Sequence, residues 1–295
     1  METVSVKTIL QKNKSTDWFG SDYNMNLYKG CSHGCIYCDS RSDCYHADNF
    51  ETVRAKENCL QILRDELKRK VKSGIVGTGA MSDPYNPFEK KEKLTRHSLE
   101  LIDAYEFGVS VLTKSSLIKR DIDIYTGIAE HSPVLCQCTI TAADDKLSKL
   151  VEPNVSASSE RFEALAEMSD SGLFTGVVMT PVLPFIEDTE ENILRILRTA
   201  KECGVRSVYA QFGLTMRTGQ REYFYSKLDE AFPEMKLSER YAKAYGDRYM
   251  CSSPYAKRLW KVYTEECKRL GLLYDMHDII SAYKLGYGDR QLSFF

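Results

Sequence analysis

Apolar positions follow two alternating periods from about residue 24 to residue 214. Short apolar runs with strand character lie at 24–29, 74–79, 108–113, 134–141, 173–182 and 207–214. Between them, apolar residues recur at helical spacing against charged ones. The clearest such stretch is 56–72, with Leu60, Ile62, Leu63 and Leu67, followed by 93–106, 121–130, 159–169 and 189–203. Regular alternation of this kind predicts a parallel sheet with helices outside it. Six strands are too few for a closed eight-stranded barrel. The pattern alone leaves open a doubly wound sheet or a barrel.

The flanks differ from this middle. Residues 1–23 are polar and predict an N-terminal arm. From about Arg217 the chain turns helical, aromatic and locally basic. Nine Lys or Arg stand against four acidic residues between Lys236 and Arg269. With Tyr241, Tyr245, Tyr249, Tyr255 and Trp260, this is either a solvated helix face or a surface for phosphates and stacked bases. The expected organisation is an arm (1–23), the alternating unit (24–216), a helical extension (217–290) and a short tail (291–295).

Composition narrows the class more than the partner. The 295 residues are 43% hydrophobic, enough for a sizeable core, and the net charge of −2 selects no partner class. No run approaches the about 18 apolar residues of a membrane helix. Residues 1–14 lack the apolar stretch of a secretion signal. Ten cysteines in such a chain imply reduced thiols and a cytoplasmic protein.

Three of those cysteines carry the chemistry. Cys31, Cys35 and Cys38 stand in the run GCSHGCIYC, a C-x3-C-x2-C spacing directly after the first predicted strand. Cysteine thiolates hold iron–sulfur clusters, and three of them fill three corners of a four-iron cube, leaving one iron open. A structural zinc knot is the alternative, with Cys44, His33 and His46 nearby, but no distant second pair completes it. Cys136 and Cys138 flank a single residue and are expected on alternate faces of a buried strand.

Other strand ends offer ligand groups. The Gly- and Pro-rich loop after the second strand carries Ser82 and Asp83, suited to the amino-acid part of a cofactor. The third strand ends at Lys114, well placed for a carboxylate. The fourth carries Thr139 and Thr141, whose hydroxyls are expected on the interior face.

The cysteine loop, with Tyr37 just before its last cysteine, resembles that of the radical S-adenosylmethionine (SAM) enzymes. The order of Tyr23-Asn24, the cysteines, Ser82-Asp83, Thr113-Lys114, Glu152-Pro153, Glu160-Arg161 and Pro181 is similar to the spore photoproduct lyase family, whose members include proteins called DNA repair photolyase-like. The likeness spans roughly residues 20–190. It implies a partial (β/α)6 TIM-type barrel with a helical C-terminal extension. It further implies a [4Fe–4S] cluster on Cys31, Cys35 and Cys38 and SAM contacts from Ser82, Lys114 and Thr139; Tyr37 and Asp83 are expected to join them at SAM, and a flavodoxin- or ferredoxin-type electron donor is expected. In such enzymes SAM is cleaved to a 5′-deoxyadenosyl radical that abstracts a hydrogen atom from a substrate.

One residue departs from the family. Spore photoproduct lyase carries a hydrogen-donating cysteine two residues before the serine aligned with Ser82, and here Ala80 stands in its place. Cys44 and Cys251 are substitutes to weigh. The last five residues, Gln291 to Phe295, resemble the peptide by which bacterial polymerases and repair proteins dock on the sliding clamp. The leading expectation is therefore a radical SAM enzyme acting on DNA or RNA. Against it stand a radical SAM enzyme on a peptide or small metabolite, and a non-enzymatic zinc- or clamp-binding adaptor.

Overall fold

The computed structural model describes residues 2–45, 49–70 and 72–287. Eight strands form its main sheet: β1 (Leu10–Lys12), β2 (Tyr23–Met25), β3 (Ile75–Gly77), β4 (Gly108–Thr113), β5 (Val134–Thr139), β6 (Phe174–Val182), β7 (Ser207–Thr215) and β8 (Met250–Ser252). They lie side by side in the order β8-β7-β6-β5-β4-β3-β2-β1. From β2 to β7 every pairing is parallel. The two edges, β1 and β8, are antiparallel. Helices α1 (Cys59–Lys68), α2 (Leu94–Ala104), α3 (Ile122–Ala129), α4 (Ser158–Asp170) and α5 (Glu190–Glu202) connect the parallel strands. After β7 come α6 (Gln220–Ala231), α7 (Leu237–Tyr245), α8 (Ala256–Leu270) and α9 (Met276–Lys284). This is the expected partial (β/α)6 barrel with a helical C-terminal extension.

Strand alternation sorts the core into two layers. Val109, Val111, Cys136, Cys138, Val177 and Met179 face outward and pack under the helices. Cys136 and Cys138 therefore share one face instead of alternating, because residues two apart on a strand point the same way. The inward side chains Ile75, Leu135, Phe174 and Val178 meet Phe19 from the turn before β2 and Ile279 and Tyr283 of α9. Ile75, Leu135 and Phe174 lie at the starts of their strands, so an apolar floor closes the N-terminal end of the barrel. Trp18 also meets Tyr209 of β7, with ring centroids 5.5 Å apart, so the two ends of the parallel set curl toward each other.

The polar stretch before β2 takes part in this architecture. Thr3–Val4 pairs with Arg54–Lys56 in a small separate sheet, and β1 extends the main one. Ile9, Leu10 and Phe19 are buried. At the other end of the chain, α6 and α7 build a second core against the cysteine loop, in which Phe224, Leu228, Leu237 and Tyr241 gather with Cys35, Ile36 and Tyr37. Tyr241 and Tyr245 are therefore core residues that cannot stack on a ligand, while Tyr249, Tyr255 and Trp260 are about half exposed. Among the described residues no helix is long and apolar enough to cross a membrane. The clamp-like tail, 291–295, and His46 lie outside the described residues.

Candidate functional site

The loop 30–38 follows β2 at the end of the barrel opposite the apolar floor. Gly30 opens it with φ +82°, and a Cβ there would collide with the carbonyl oxygens of Thr52 and Phe50, so only glycine fits. The loop backbone is then held from two sides. Cys31 N donates to Phe50 O at 2.8 Å on one side. On the other, Ile36 N donates to Val151 O at 3.0 Å and Asn154 N to His33 O at 3.1 Å. The Asn154 side chain adds a bond to Ser32 O at 3.1 Å. Cys31, Cys35 and Cys38 are all free thiols, Cys35 buried and the other two half-buried.

Their spacing in space separates two kinds of metal site. Tetrahedral zinc, with Zn–S near 2.3 Å, brings its thiolates to within about 3.8 Å of one another. Among the described residues, the one set of three Cys, His, Asp or Glu side chains whose ligand atoms lie within 4.8 Å is Asp275, His277 and Asp278, on the surface at the start of α9. No three of Cys31, His33, Cys35, Cys38 and Cys44 converge that closely. A multi-iron cube, whose thiolates sit on separate corners, suits this wider arrangement.

Charge is concentrated around the thiols. Burial pushes the Cys35 thiol well up, Lys114 pulls it down, and Glu152, Cys38 and Cys31 push it up further. Cys38 is raised by burial and by Cys31, against Lys114. Cys31 is opposite in sense: burial raises it, but a hydrogen bond from His33 and the His33 charge outweigh that, so its thiol titrates below the ordinary range. His33 is lowered by burial but held up by Asp83 and Cys31, with a net rise. Its Nδ1 lies 3.5 Å from Asp83 Oδ2. Lys114 is opposed by burial, yet Cys35, Glu152 and Asp83 together hold its ammonium above the usual range.

Asp83 ties the second strand-end loop to the third. It accepts from Thr113 Oγ1 at 2.5 Å, from Lys114 N at 2.8 Å and from Tyr85 N at 2.8 Å. Asp83, Lys114, Tyr37 and the cysteine loop thus meet in one place. Lys114 Nζ lies 5.8 Å from the centre of the Tyr37 ring. Ser82 is buried beside them, with its hydroxyl turned to Tyr28 O at 3.1 Å. Thr139 closes β5 on the same interior face as Leu135, and its carbonyl is taken by Arg161 Nη1 at 2.6 Å.

Beneath the loop lies a buried latch. Tyr37 donates its hydroxyl to Glu152. Glu152 in turn accepts from Arg161 Nη2 at 2.6 Å, with both side chains sealed from water at 1% and 0% exposure. Arg161 spends its other donors on Ser148 Oγ, Ser156 O and the end of β5. Glu187, after β6, is also fully buried and accepts from Leu183 N and Thr141 Oγ1, each at 2.8 Å. Sequence patterns marked Glu152 and Arg161 only through a family likeness, marked His33 only as a ligand of the zinc alternative, and did not mark Glu187. A single charged residue carries no signal of burial in the sequence, so nothing local could have found Glu152, Arg161 or Glu187 as buried groups.

Comparison with known proteins points to one family. The description "Radical SAM superfamily" matches residues 25–199. An uncharacterized protein of Mycobacterium tuberculosis is 30% identical over 249 residues, 82% of this chain and 72% of the relative. Among solved structures, a point mutant of spore photoproduct lyase superposes with a TM-score of 0.66 at 16% identity, covering 92% of this chain and 80% of that one. A spore photoproduct lyase mutant with bound AdoMet and dinucleoside spore photoproduct gives 0.63 at 16% identity, covering 90% and 78%. At those identities the structural likeness speaks for the fold.

Proposed function

The chain belongs to the radical SAM superfamily, and from that premise we propose that Cys31, Cys35 and Cys38 hold a [4Fe–4S] cluster for chemistry on a nucleic-acid substrate. The superfamily's enzymes work with an iron–sulfur cluster and SAM. A cluster held there, once reduced by an external donor, would supply the single electron for reductive cleavage of SAM, and so radical hydrogen-atom abstraction from a substrate.

The residues of this chain bind, orient and shield. The Lys114 ammonium stabilises nearby thiolates and suits the SAM carboxylate. Asp83, a buried carboxylate held by Thr113 and Lys114 N, suits the SAM ammonium. Ser82 and Thr139 border the same space from neighbouring strand ends. Tyr37 fixes the loop through Glu152 and Arg161. The second core, from Leu183 to Tyr241, keeps water from the buried side of the loop.

The nucleic-acid part rests on the exposed Tyr249, Tyr255 and Trp260 beside the exposed Lys257, Lys261 and Lys268. The electron donor in this reading is a flavodoxin- or ferredoxin-type protein, and Gln291–Phe295 is a clamp-docking tail.

The single observation that carries the cluster reading is the set of three free thiols on one loop, whose ligand atoms do not all lie within 4.8 Å of one another and which are faced by a lysine. Anaerobic reconstitution with iron and sulfide, reduction with dithionite and chromatography for 5′-deoxyadenosine test it. Iron uptake with SAM cleavage is expected; bound zinc with no cleavage would overturn it. Binding to labelled single-stranded DNA or RNA should weaken steeply with salt, and salt-independent behaviour would point away from a nucleic acid.

A further inference from the structure

The three sulfurs of the cysteine loop are faced by three different kinds of group. Cys35 meets the charge of Lys114. Cys38 accepts from the backbone N–H of Ser40 and lies within the field of the Arg41 guanidinium. Cys31 accepts from a side chain, the imidazole of His33 two residues further along the loop, as well as from the His33 backbone N–H. That imidazole is 4% exposed and also meets Asp83, with Nδ1 3.5 Å from Oδ2.

The carboxylate does not depend on the ring. Asp83 already accepts from Thr113 Oγ1 at 2.5 Å, from Tyr85 N at 2.8 Å and from Lys114 N at 2.8 Å. Support therefore runs one way: a carboxylate fixed by two strand ends braces His33, and His33 reaches the sulfur. The loop does not need the imidazole for its shape either. Its backbone is tied separately to Phe50 O, to Val151 O and to Asn154 N. Ser32, between Cys31 and His33, fits the same picture. Its Oγ is buried with no hydrogen-bond partner among the described residues. A buried donor left unpaired is costly, and a cluster held by the adjoining Cys31 brings sulfur acceptors to it.

The reduction potential of an iron–sulfur cluster is set in part by hydrogen bonds to its sulfurs. Reduction adds a negative charge, so a hydrogen bond to a ligating sulfur is stronger in the reduced form and raises the potential. We propose that His33, braced by Asp83, is a positioning residue that eases reduction of the cluster on Cys31, Cys35 and Cys38 through its hydrogen bond to the Cys31 sulfur. The inference rests on the cluster reading above and assigns a residue to its one-electron step. A histidine that only shaped the loop would favour neither oxidation state.

The test is a redox titration of the reconstituted full chain without SAM, followed by electron paramagnetic resonance and paired with iron analysis. His33→Leu should load as much iron as the unsubstituted protein. Its ratio of reduced to oxidised cluster at a fixed potential should fall about tenfold, a midpoint lower by about 59 mV for one electron. His33→Gln keeps an N–H near the sulfur and should lie between the two. Equal iron and an equal midpoint in His33→Leu and the unsubstituted protein would overturn the assignment while the cluster reading stands. Should His33→Leu load no iron, the same titration on His33→Gln decides: a lowered midpoint supports the assignment and an unchanged one overturns it, leaving His33 a structural part of the loop. Failure of the unsubstituted protein to load iron would overturn the cluster reading and this inference with it.

Discussion

At the N-terminal ends of its strands the barrel is filled by Ile75, Leu135 and Phe174, sealed by Phe19, Ile279 and Tyr283. At the C-terminal ends, a few residues along the same strands, it buries Asp83, Glu152, Arg161 and Glu187 around a cysteine loop. The floor is held by removal of apolar surface from water, which is non-directional and tolerates a change of shape. The rim is held by mutual satisfaction of charges, each of which becomes a liability when its partner is removed. A parallel barrel can thus be rigid at both ends while chemistry is concentrated at one.

That contrast can be broken most completely at the thiols. Cys35→Ala should abolish iron uptake and 5′-deoxyadenosine formation while the floor, and the urea midpoint, change little; a variant that still loads iron and cleaves SAM would contradict the cluster assignment. Next come two substitutions of similar cost and opposite character. Phe174→Ala should destabilise by about 3–5 kcal/mol, and Arg161→Met by about 3–5 kcal/mol because Glu152 is left buried without its partner. The second change Glu152→Gln should recover part of the Arg161→Met loss, as urea unfolding of the double variant would reveal, whereas no second site at the rim should rescue Phe174→Ala.

Lys114→Ala should be milder for the fold and selective in function. SAM affinity, followed by equilibrium dialysis with the reconstituted protein, is expected to drop at least tenfold while iron content holds; loss of iron instead would move Lys114 from the ligand to the cluster. The smallest effect is in pH. Burial raises Glu187 to about 8 from 4.5. Its folded state therefore holds a proton that the unfolded chain has released. The associated stability is complete below about pH 4.5 and is lost as pH rises through about 8. Glu187→Gln should flatten that decline by about 1–2 kcal/mol between neutral pH and pH 9, and identical pH profiles for the two proteins would show that Glu187 does not titrate in this range.

The sequence revealed the two regions unequally. Five of the six parallel strands lie where apolar runs predict them, because the floor and the helix-facing layer obey a simple period; the first, expected over 24–29, is only Tyr23–Met25, and Tyr28–Lys29 pairs in the small separate sheet instead. The cysteine loop was legible from spacing alone. The partners of the rim were not: Tyr37 and Glu152 are 115 residues apart, and their contact depends on the whole barrel. Arg161 sits in a helix whose charges read as solvated, yet it is fully buried. Residues 1–23 read as a polar arm, since the four buried apolar side chains Ile9, Leu10, Phe19 and Tyr23, set among so many polar ones, leave no periodic trace. Tyr241 and Tyr245 read as aromatic surface, because the second core they join is built from distant segments and has no local signature.

The most direct test of an open-cornered cluster at the charged rim is electron paramagnetic resonance of the reconstituted, dithionite-reduced protein with and without SAM, paired with iron and zinc analysis. About four irons per chain and a cluster signal that shifts when SAM is added are predicted. Stoichiometric zinc, or an iron–sulfur signal indifferent to SAM, would contradict it.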